Sequence, residues 1–375
     1  MREICFMSGI YFHIPFCKTR CIYCDFFSST NIQEKKEYVT VLCKELAGKK
    51  NYLNNPIETV YFGGGTPSVL TNQEFELIFN EIENNFRCDW SSMEITLEAN
   101  PDDLTDDYLN SLKNLPFNRI SIGIQSFDEE ELKFLNRRHN AQSAKKAVQT
   151  AQKSGFENIS IDLMYGLPNQ TLDNWKKNIR QAINLDIQHI SAYHLIYEEN
   201  TCLYNLLDAG KITPSDEDLS LRMFETLIDD LADAGFEQYE ISNFAKKGYQ
   251  SRHNSSYWNG KHYLGIGASA HSYNGISRQW NKASKNYPNY EPEIEIIDTR
   301  IAYNDFIITR LRTMKGISLK ELETLFGEEK RNYLLNQSQK HLQNSLLEIQ
   351  DHYLRLTRKG IFVSDGVMSD LFLSE

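Results

Sequence analysis

A chain of 375 residues, 41% hydrophobic and 24% charged, has the composition of a soluble globular protein with room for two or three domains and a large core. Its formal net charge of −11 speaks against a broadly basic surface, so no nucleic-acid partner is expected. No apolar run is long enough to span a bilayer, and no apolar h-region with a cleavage site opens the chain, so a cytoplasmic location is expected, with at most peripheral contact at a membrane.

The first buried strand is read at GIYFHI (9–14), and it runs into CKTRCIYCDF (17–26). There Cys17, Cys21 and Cys24 follow a C-x3-C-x2-C spacing, whereas Cys5, Cys43, Cys88 and Cys202 are scattered and read as buried or incidental thiols. Seven cysteines with three clustered favour metal or redox chemistry over a disulfide framework. Taken by itself the cluster leaves three readings open. It could be a zinc site recruiting His13 or Asp25, a chance grouping of thiols, or an iron–sulfur site in which three thiolates leave one iron of a cubane without a protein ligand.

Five further strands are expected at TVYFGGG (59–65), EITLEAN (94–100), RISIGIQS (119–126), NISIDLMYG (158–166) and HISAYHL (189–195), each rich in β-branched or aromatic residues. Amphipathic helices separate them. Phe75, Ile78, Phe79, Ile82 and Phe86 form one face, Ala144, Ala147, Val148 and Ala151 a second, and Leu172, Trp175, Ile179 and Ile183 a third. Alternating strands and helices imply parallel pairing; six units predict an α/β fold of the partial (β/α)6 barrel type, with a doubly wound sheet as the alternative. Beyond it, 214–235 reads as one helix, 236–245 as one strand, and the stretch to about 290 is rich in Gly, Asn and Tyr. Residues 300–375 read as a mostly helical, winged-helix-like domain with a small hairpin. The expected division is therefore a barrel over 1–200, an extension or lid over 201–299, and a C-terminal domain over 300–375.

Polar residues cluster where the predicted strands end, the face on which such barrels bind ligands. The second strand ends in Gly63, Gly64, Gly65 and Thr66, the third in Glu98, Asn100 and Pro101, and the fourth in Gln125 and Ser126; the fifth carries Asp162 and then YGLP. FGGGTP lacks the Lys-Ser/Thr ending of a phosphate loop, and its glycines instead let backbone groups approach a ligand closely.

The cysteine spacing after the first strand, the aromatic Tyr23 between the last two cysteines, and GGGTP resemble the radical S-adenosylmethionine (SAM) superfamily. YFHIPFCKTRCIYCDF, YFGGGTPS, EANPDDLT, SIGIQSFD, LNRRH and SIDLMYGLPNQT are similar to the oxygen-independent coproporphyrinogen III oxidase group, over most of residues 9–280. The oxidases carry a fourth cysteine two residues after the third; here Phe26 stands there. They also have a longer segment before the cluster than the 16 residues preceding Cys17, and RHNSSYW (252–258) matches the H-N-x-x-Y-W motif of the HemW-type heme chaperones. The resemblance thus points to that branch, which binds heme and passes it to apo-hemoproteins, membrane-bound respiratory proteins among them. Coproporphyrinogen oxidation is the alternative.

The resemblance implies further site roles. Cys17, Cys21 and Cys24 would hold a [4Fe-4S] cluster, with SAM on the fourth iron, and Tyr11, Gly64 and Glu98 would touch that SAM. Tyr23, Gly65, Thr66, Gln125, Arg137 and Asp162 match contacts to a second SAM in the oxidase, as do Ile196 and His271, although their residue types differ. His253, Asn254, Tyr257 and Trp258 are the expected heme contacts, with the His253 imidazole as candidate axial ligand. The implied partners are heme, apo-hemoprotein clients and an electron donor, with a homodimer admitted; whether SAM is cleaved stays open.

Overall fold

The structure, a computed structural model, describes residues 8–284, 287–288 and 291–374, so Cys5 lies outside the described residues. Strands β1 (Ser8–Ile14), β2 (Ile57–Gly64), β3 (Glu94–Ala99), β4 (Arg119–Gln125), β5 (Asn158–Tyr165) and β6 (His189–His194) lie side by side in sequence order, each parallel to the next. The predicted strands are all present with ends shifted by one or two residues. They form the partial barrel rather than a doubly wound sheet, because the strand order never reverses. Crossover helices α1 (Lys35–Gly48), α2 (Asn72–Asn85), α3 (Asp106–Ser111), α4 (Glu129–Phe134), α5 (Ala141–Lys153) and α6 (Leu172–Ile183) link them. Local chemistry starts these helices where the sequence asks. Thr71 and Glu74 form a capping box on α2, Asn140 and Ser143 another on α5, and Thr171 caps α6 through the Asn174 amide.

After β6 come α7 (Cys202–Asp208) and α8 (Glu217–Asp233). The single strand expected at 236–245 is instead a tight hairpin of β7 (Glu237–Glu240) and β8 (Asn243–Ala245), antiparallel on the outer side of β6. The fully buried Glu240 carboxylate turns the chain there, accepting from the Ser242 amide at 2.9 Å and the Asn243 side chain at 2.5 Å. The motif RHNSSYW forms α9 (Arg252–Trp258). The Gly- and Tyr-rich stretch supplies β9 (Tyr263–Ile266), parallel to β1, then β10 (His271–Tyr273), β11 (Ser277–Trp280) and β12 (Glu293–Ile296) as an antiparallel wing. Gly265 permits this, since a Cβ there would overlap the His271 carbonyl of the neighbouring strand.

The C-terminal part contains α10 (Thr299–Leu311), β13 (Ile317–Ser318), α11 (Leu319–Gln343, kinked at Gly327), the hairpin β14 (Leu347–Gln350) and β15 (Tyr353–Leu356), and the short α12 (Arg358–Phe362) and α13 (Ser364–Ser369). Its apolar side chains do not form a core of their own. Tyr303, Ile307, Leu322, Leu334 and Leu371 join one continuous cluster with Ile122, Ile161, Trp175, Leu227 and Phe244 of the barrel. A second cluster packs α1 and α2 on β1–β3 and β9.

Tyr303 tests that shared core. Its ring is fully buried and packs edge-on against Phe326, yet its hydroxyl has no hydrogen-bond partner among the described residues. Tyr303→Phe is expected to be neutral or stabilising because it removes an unsatisfied polar group, whereas Tyr303→Ala should cost about 3–5 kcal/mol in denaturant unfolding.

Candidate functional site

A cavity of about 420 Å³ lies at the C-terminal ends of β1–β6. Cys17, Cys21, Tyr23, Cys24, Gly64, Gly65, Thr66, Glu98, Gln125, Arg137, Asp162 and Ile196 all line it. Twelve residues chosen from seven separate stretches of sequence thus meet around one space. Parallel pairing explains the meeting: Gly64 follows Ile14 in register, Glu98 pairs with Ser121, and Gly123 with Asp162, so the strand ends come level.

The cysteine loop is fixed from several sides. Lys18 reaches the buried Asp103 at 2.5 Å, Asn136 donates to the Arg20 carbonyl at 2.8 Å, and the Leu203 amide to the Ile22 carbonyl at 2.9 Å. Ile22 and Tyr23 pack against a small apolar cluster of Leu135, Met164, Leu167, Leu195 and Leu203. The thiols themselves meet donors: Arg137 Nη1 to Cys21 Sγ at 3.2 Å, and Thr66 Oγ1 to Cys17 Sγ at 3.4 Å. A Cβ on Gly65 would stand 3.0 Å from Cys17 Sγ and 2.9 Å from the Ile14 carbonyl, so only glycine lets this turn close on the cysteine loop.

These features fit an iron–sulfur cluster. Three thiols line one cavity, and a guanidinium beside Cys21 offsets thiolate charge. Burial pushes the Cys24 thiol up to about 11 and raises Cys17 as well, so ligation must displace protons.

Arg137 links the cysteine loop to the strand ends. Its Nη2 donates to Asn100 Oδ1 at 2.6 Å and to the Gly123 carbonyl, while its buried Nε has no partner among the described residues. Gln125 stands at a register break in β4 with φ 70°, a strained conformation for a non-glycine residue and one that clusters at functional sites. The Tyr61 hydroxyl donates to Glu98 Oε1 at 2.7 Å, but burial still raises Glu98 to about 7; burial likewise raises Asp162 to about 6, opposed by Arg119. Sequence reading missed Asn100 as an Arg137 partner, Tyr61 and Arg119. The signal for Tyr61 and Arg119 was present as polar groups at the period-two positions that face the barrel interior.

Six expected contacts lie elsewhere. Tyr11 and His271 line a second, larger cavity of about 1370 Å³ and not the cysteine-lined one. His253 lines neither cavity and is buried at the N-terminal end of the strands, away from the cysteines. Its Nδ1 is 2.8 Å from Thr59 Oγ1 and its Nε2 2.8 Å from the Tyr257 hydroxyl, and the ring stacks on Tyr61 with centroids 4.9 Å apart. Both nitrogens are engaged, so the imidazole is not presented to a heme iron. Its backbone amide donates to Glu94, which also accepts from the Arg252 amide, and this anchors α9 across the barrel end. Asn254 also lines neither cavity, whereas Tyr257 and Trp258 line the larger one.

Burial, helped by Arg119, lowers His253 to about 3, below the value of about 6.5 in an unfolded chain. The unfolded state therefore binds more protons between these values, and this stability contribution is present above pH ~6.5 and lost as pH falls towards 3. Unfolding free energies measured between pH 7 and 4.5 should fall less steeply for His253→Gln than for the unmodified protein.

Comparison with known proteins agrees with this geometry. A profile of the radical SAM superfamily matches residues 11–182, and one described as the HemN C-terminal domain matches residues 298–363. A protein of Bacillus subtilis named heme chaperone HemW is 33% identical, over 98% of this chain and all of the relative. The Lactococcus lactis protein of that name is 32% identical over 98% of each chain, and that of Escherichia coli 38% over 70% of this chain and 69% of its own. In structure, coproporphyrinogen III oxidase (HemN) from Escherichia coli, described as a radical SAM enzyme, superposes with a TM-score of 0.84 over 98% of this chain and 90% of its own, at 20% identity; that likeness establishes the fold. The chain belongs to the radical SAM superfamily and, within it, to the HemW heme chaperone family.

Proposed function

We propose that this chain binds heme and transfers it to apo-hemoproteins, using a radical SAM core as scaffold. The observation that carries the reading is the pairing of two cavities: the cysteine-lined space of about 420 Å³ and a cleft of about 1370 Å³, with Phe26 lining both. Phe26 is also the position at which the oxidases carry their fourth cysteine, which disfavours oxidase chemistry here. The relatives' names supply the second support.

In this reading Cys17, Cys21 and Cys24 hold the [4Fe-4S] cluster. Gly64, Glu98 and the remaining lining residues Tyr23, Gly65, Thr66, Gln125, Arg137, Asp162 and Ile196 receive SAM, while Tyr11 and His271 are assigned to the larger cleft. When bound, the cluster supplies one-electron reduction of SAM's sulfonium; the chain's own part is to orient and shield the pair. Arg137 can fork onto a carboxylate, and Glu98 and Asp162 can accept from an ammonium or ribose hydroxyls. Among the described residues no helix is long and apolar enough to cross a membrane. We place the protein in the cytoplasm, drawing electrons from a separate donor and meeting clients there or at the membrane face. We retain the division into a barrel (1–200), an extension carrying α9 (201–299) and a C-terminal domain (300–375).

The functional test is anaerobic reconstitution of the cluster followed by separate additions of heme and coproporphyrinogen III. Stable heme uptake without loss of propionates is expected, and efficient formation of protoporphyrinogen would refute the proposal. Cys21→Ala should lose the iron–sulfur charge-transfer absorbance and bound iron.

SAM binding should also report Glu98. Its carboxyl titrates at about 7 and must be ionised to pair with an ammonium, so affinity should rise as pH goes from 6 to 8. The gain should approach tenfold, roughly the increase in ionised fraction, and Glu98→Gln should remove this dependence in equilibrium dialysis of the cluster-loaded protein.

A further inference from the structure

If heme is the cargo, the fold must offer it a place, and His253 does not. The cysteine-lined cavity is also too small for a macrocycle beside SAM, since about 420 Å³ falls within the range for a single drug-sized ligand, ~300–1,000 Å³. The cleft of about 1370 Å³ exceeds that range.

Its floor is the inner face of the sheet from β1 across β9 to the wing, and its roof is α10 and the start of α11. Period-two alternation puts His271 and Tyr273 of β10 on the same face, register-paired with Trp280 and Arg278 of β11. The wing and roof are tied at one point by Arg278 and Asp305, 2.8 Å apart. Tyr257 and Trp258 close one end, and there Arg310 of the roof donates to the Trp258 carbonyl. The walls thus carry eight aromatic rings among polar and charged side chains, a mixture suited to a flat conjugated ligand with charged substituents.

Two imidazoles line this cleft. His13 is buried and committed, with Nε2 2.9 Å from the Phe27 carbonyl and Nδ1 3.3 Å from the Tyr11 hydroxyl. His271 is exposed, carries no hydrogen bond on its ring among the described residues, and leans on Trp280 with centroids 6.0 Å apart. Partial burial and the nearby Arg278 hold it below its ordinary value, which keeps the ring in the neutral, metal-ligating form at neutral pH. Two cleft-lining residues, Trp258 and Arg278, carry buried donors, Nε1 and Nε, that have no partner among the described residues. Donors buried without acceptors are costly, and the carboxylates of a bound ligand would satisfy them.

We propose that the cleft between the β9–β11 wing and α10–α11 is the heme site, with the iron facing His271 and the propionates taking the free N–H groups of Trp258 and Arg278. This rests on the heme-chaperone reading and gives that reading its site. It also divides the labour of the RHNSSYW motif. His253 locks α9 into the barrel end, and Tyr257 and Trp258, one helical turn further on, form the cleft wall. An axial ligand on an exposed strand of the wing suits a protein that must release its cargo.

The test is anaerobic heme titration of cluster-loaded protein, read by the Soret band and electron paramagnetic resonance. His271→Ala is expected to change the axial-ligand signature and weaken heme about tenfold or more, with free imidazole restoring the signature and the iron–sulfur absorbance unchanged. His271→Met should give a thioether-ligated spectrum, which separates ligation from a folding defect. If the unmodified protein binds heme but His271→Ala and His271→Met keep its spectrum and affinity, the site is refuted and the chaperone reading stands. If the unmodified protein takes up no heme, the chaperone reading fails and the site falls with it.

Discussion

Parallel pairing of β1 to β6 in unbroken sequence order is the constraint on which the rest of the molecule depends. It levels the strand ends, so that a glycine turn, a carboxylate, a strained glutamine and an aspartate from four different strands face one cysteine loop. It also obliges alternate residues to face the barrel interior, where the half-buried Glu98 and Asp162 stand with the buried Arg119 and Tyr61. Burial there raises both carboxyls, and the Nε and Nη1 of Arg119 are left without a hydrogen-bond partner among the described residues. Such an interior is poor as a stabilising core and good as a receptor for a polar cofactor.

The two ends of the barrel do different work. At the C-terminal ends the polar groups line a cavity; at the N-terminal ends the groups around His253 are paired with one another. Thr59, Glu94, His253 and Tyr257 form a closed set, and Gly9 leaves just enough room, since a Cβ there would stand 2.7 Å from Thr59 Oγ1. A histidine held in that way is neutral and has both ring nitrogens engaged, although its motif and its neighbours look like those of a ligand.

Phe26 connects the chemistry of the core to the cleft beside it. Its ring is 61% exposed and lines both cavities, so a substitution at one loop position removes a potential cysteine and at the same time shapes the boundary of the cleft. The C-terminal segment completes that cleft from above while sharing the barrel's hydrophobic core, which couples the roof to the scaffold rather than leaving it free as a separate module.

Much of this was legible in one dimension. The six strands, their parallel order, the cysteine triad and its partners at the strand ends follow from local patterns: β-branched runs, helical periodicity, capping residues and polar groups at strand termini. The hairpin at 237–245 was not, because its turn is made by the buried side chain of Glu240 and not by Gly, Pro or Asn at the bend. Nor could sequence separate His253 from His271. Both are single histidines among aromatic residues, and which one offers a free nitrogen depends on Thr59 and Tyr257, the first of them 194 residues away. Sequence by itself determined the family, the fold type and the cysteine site, since these rest on short-range spacing. Tertiary structure alone decided which polar groups are satisfied and which face open space, because hydrogen-bond partners and cavities are made by residues distant in the chain.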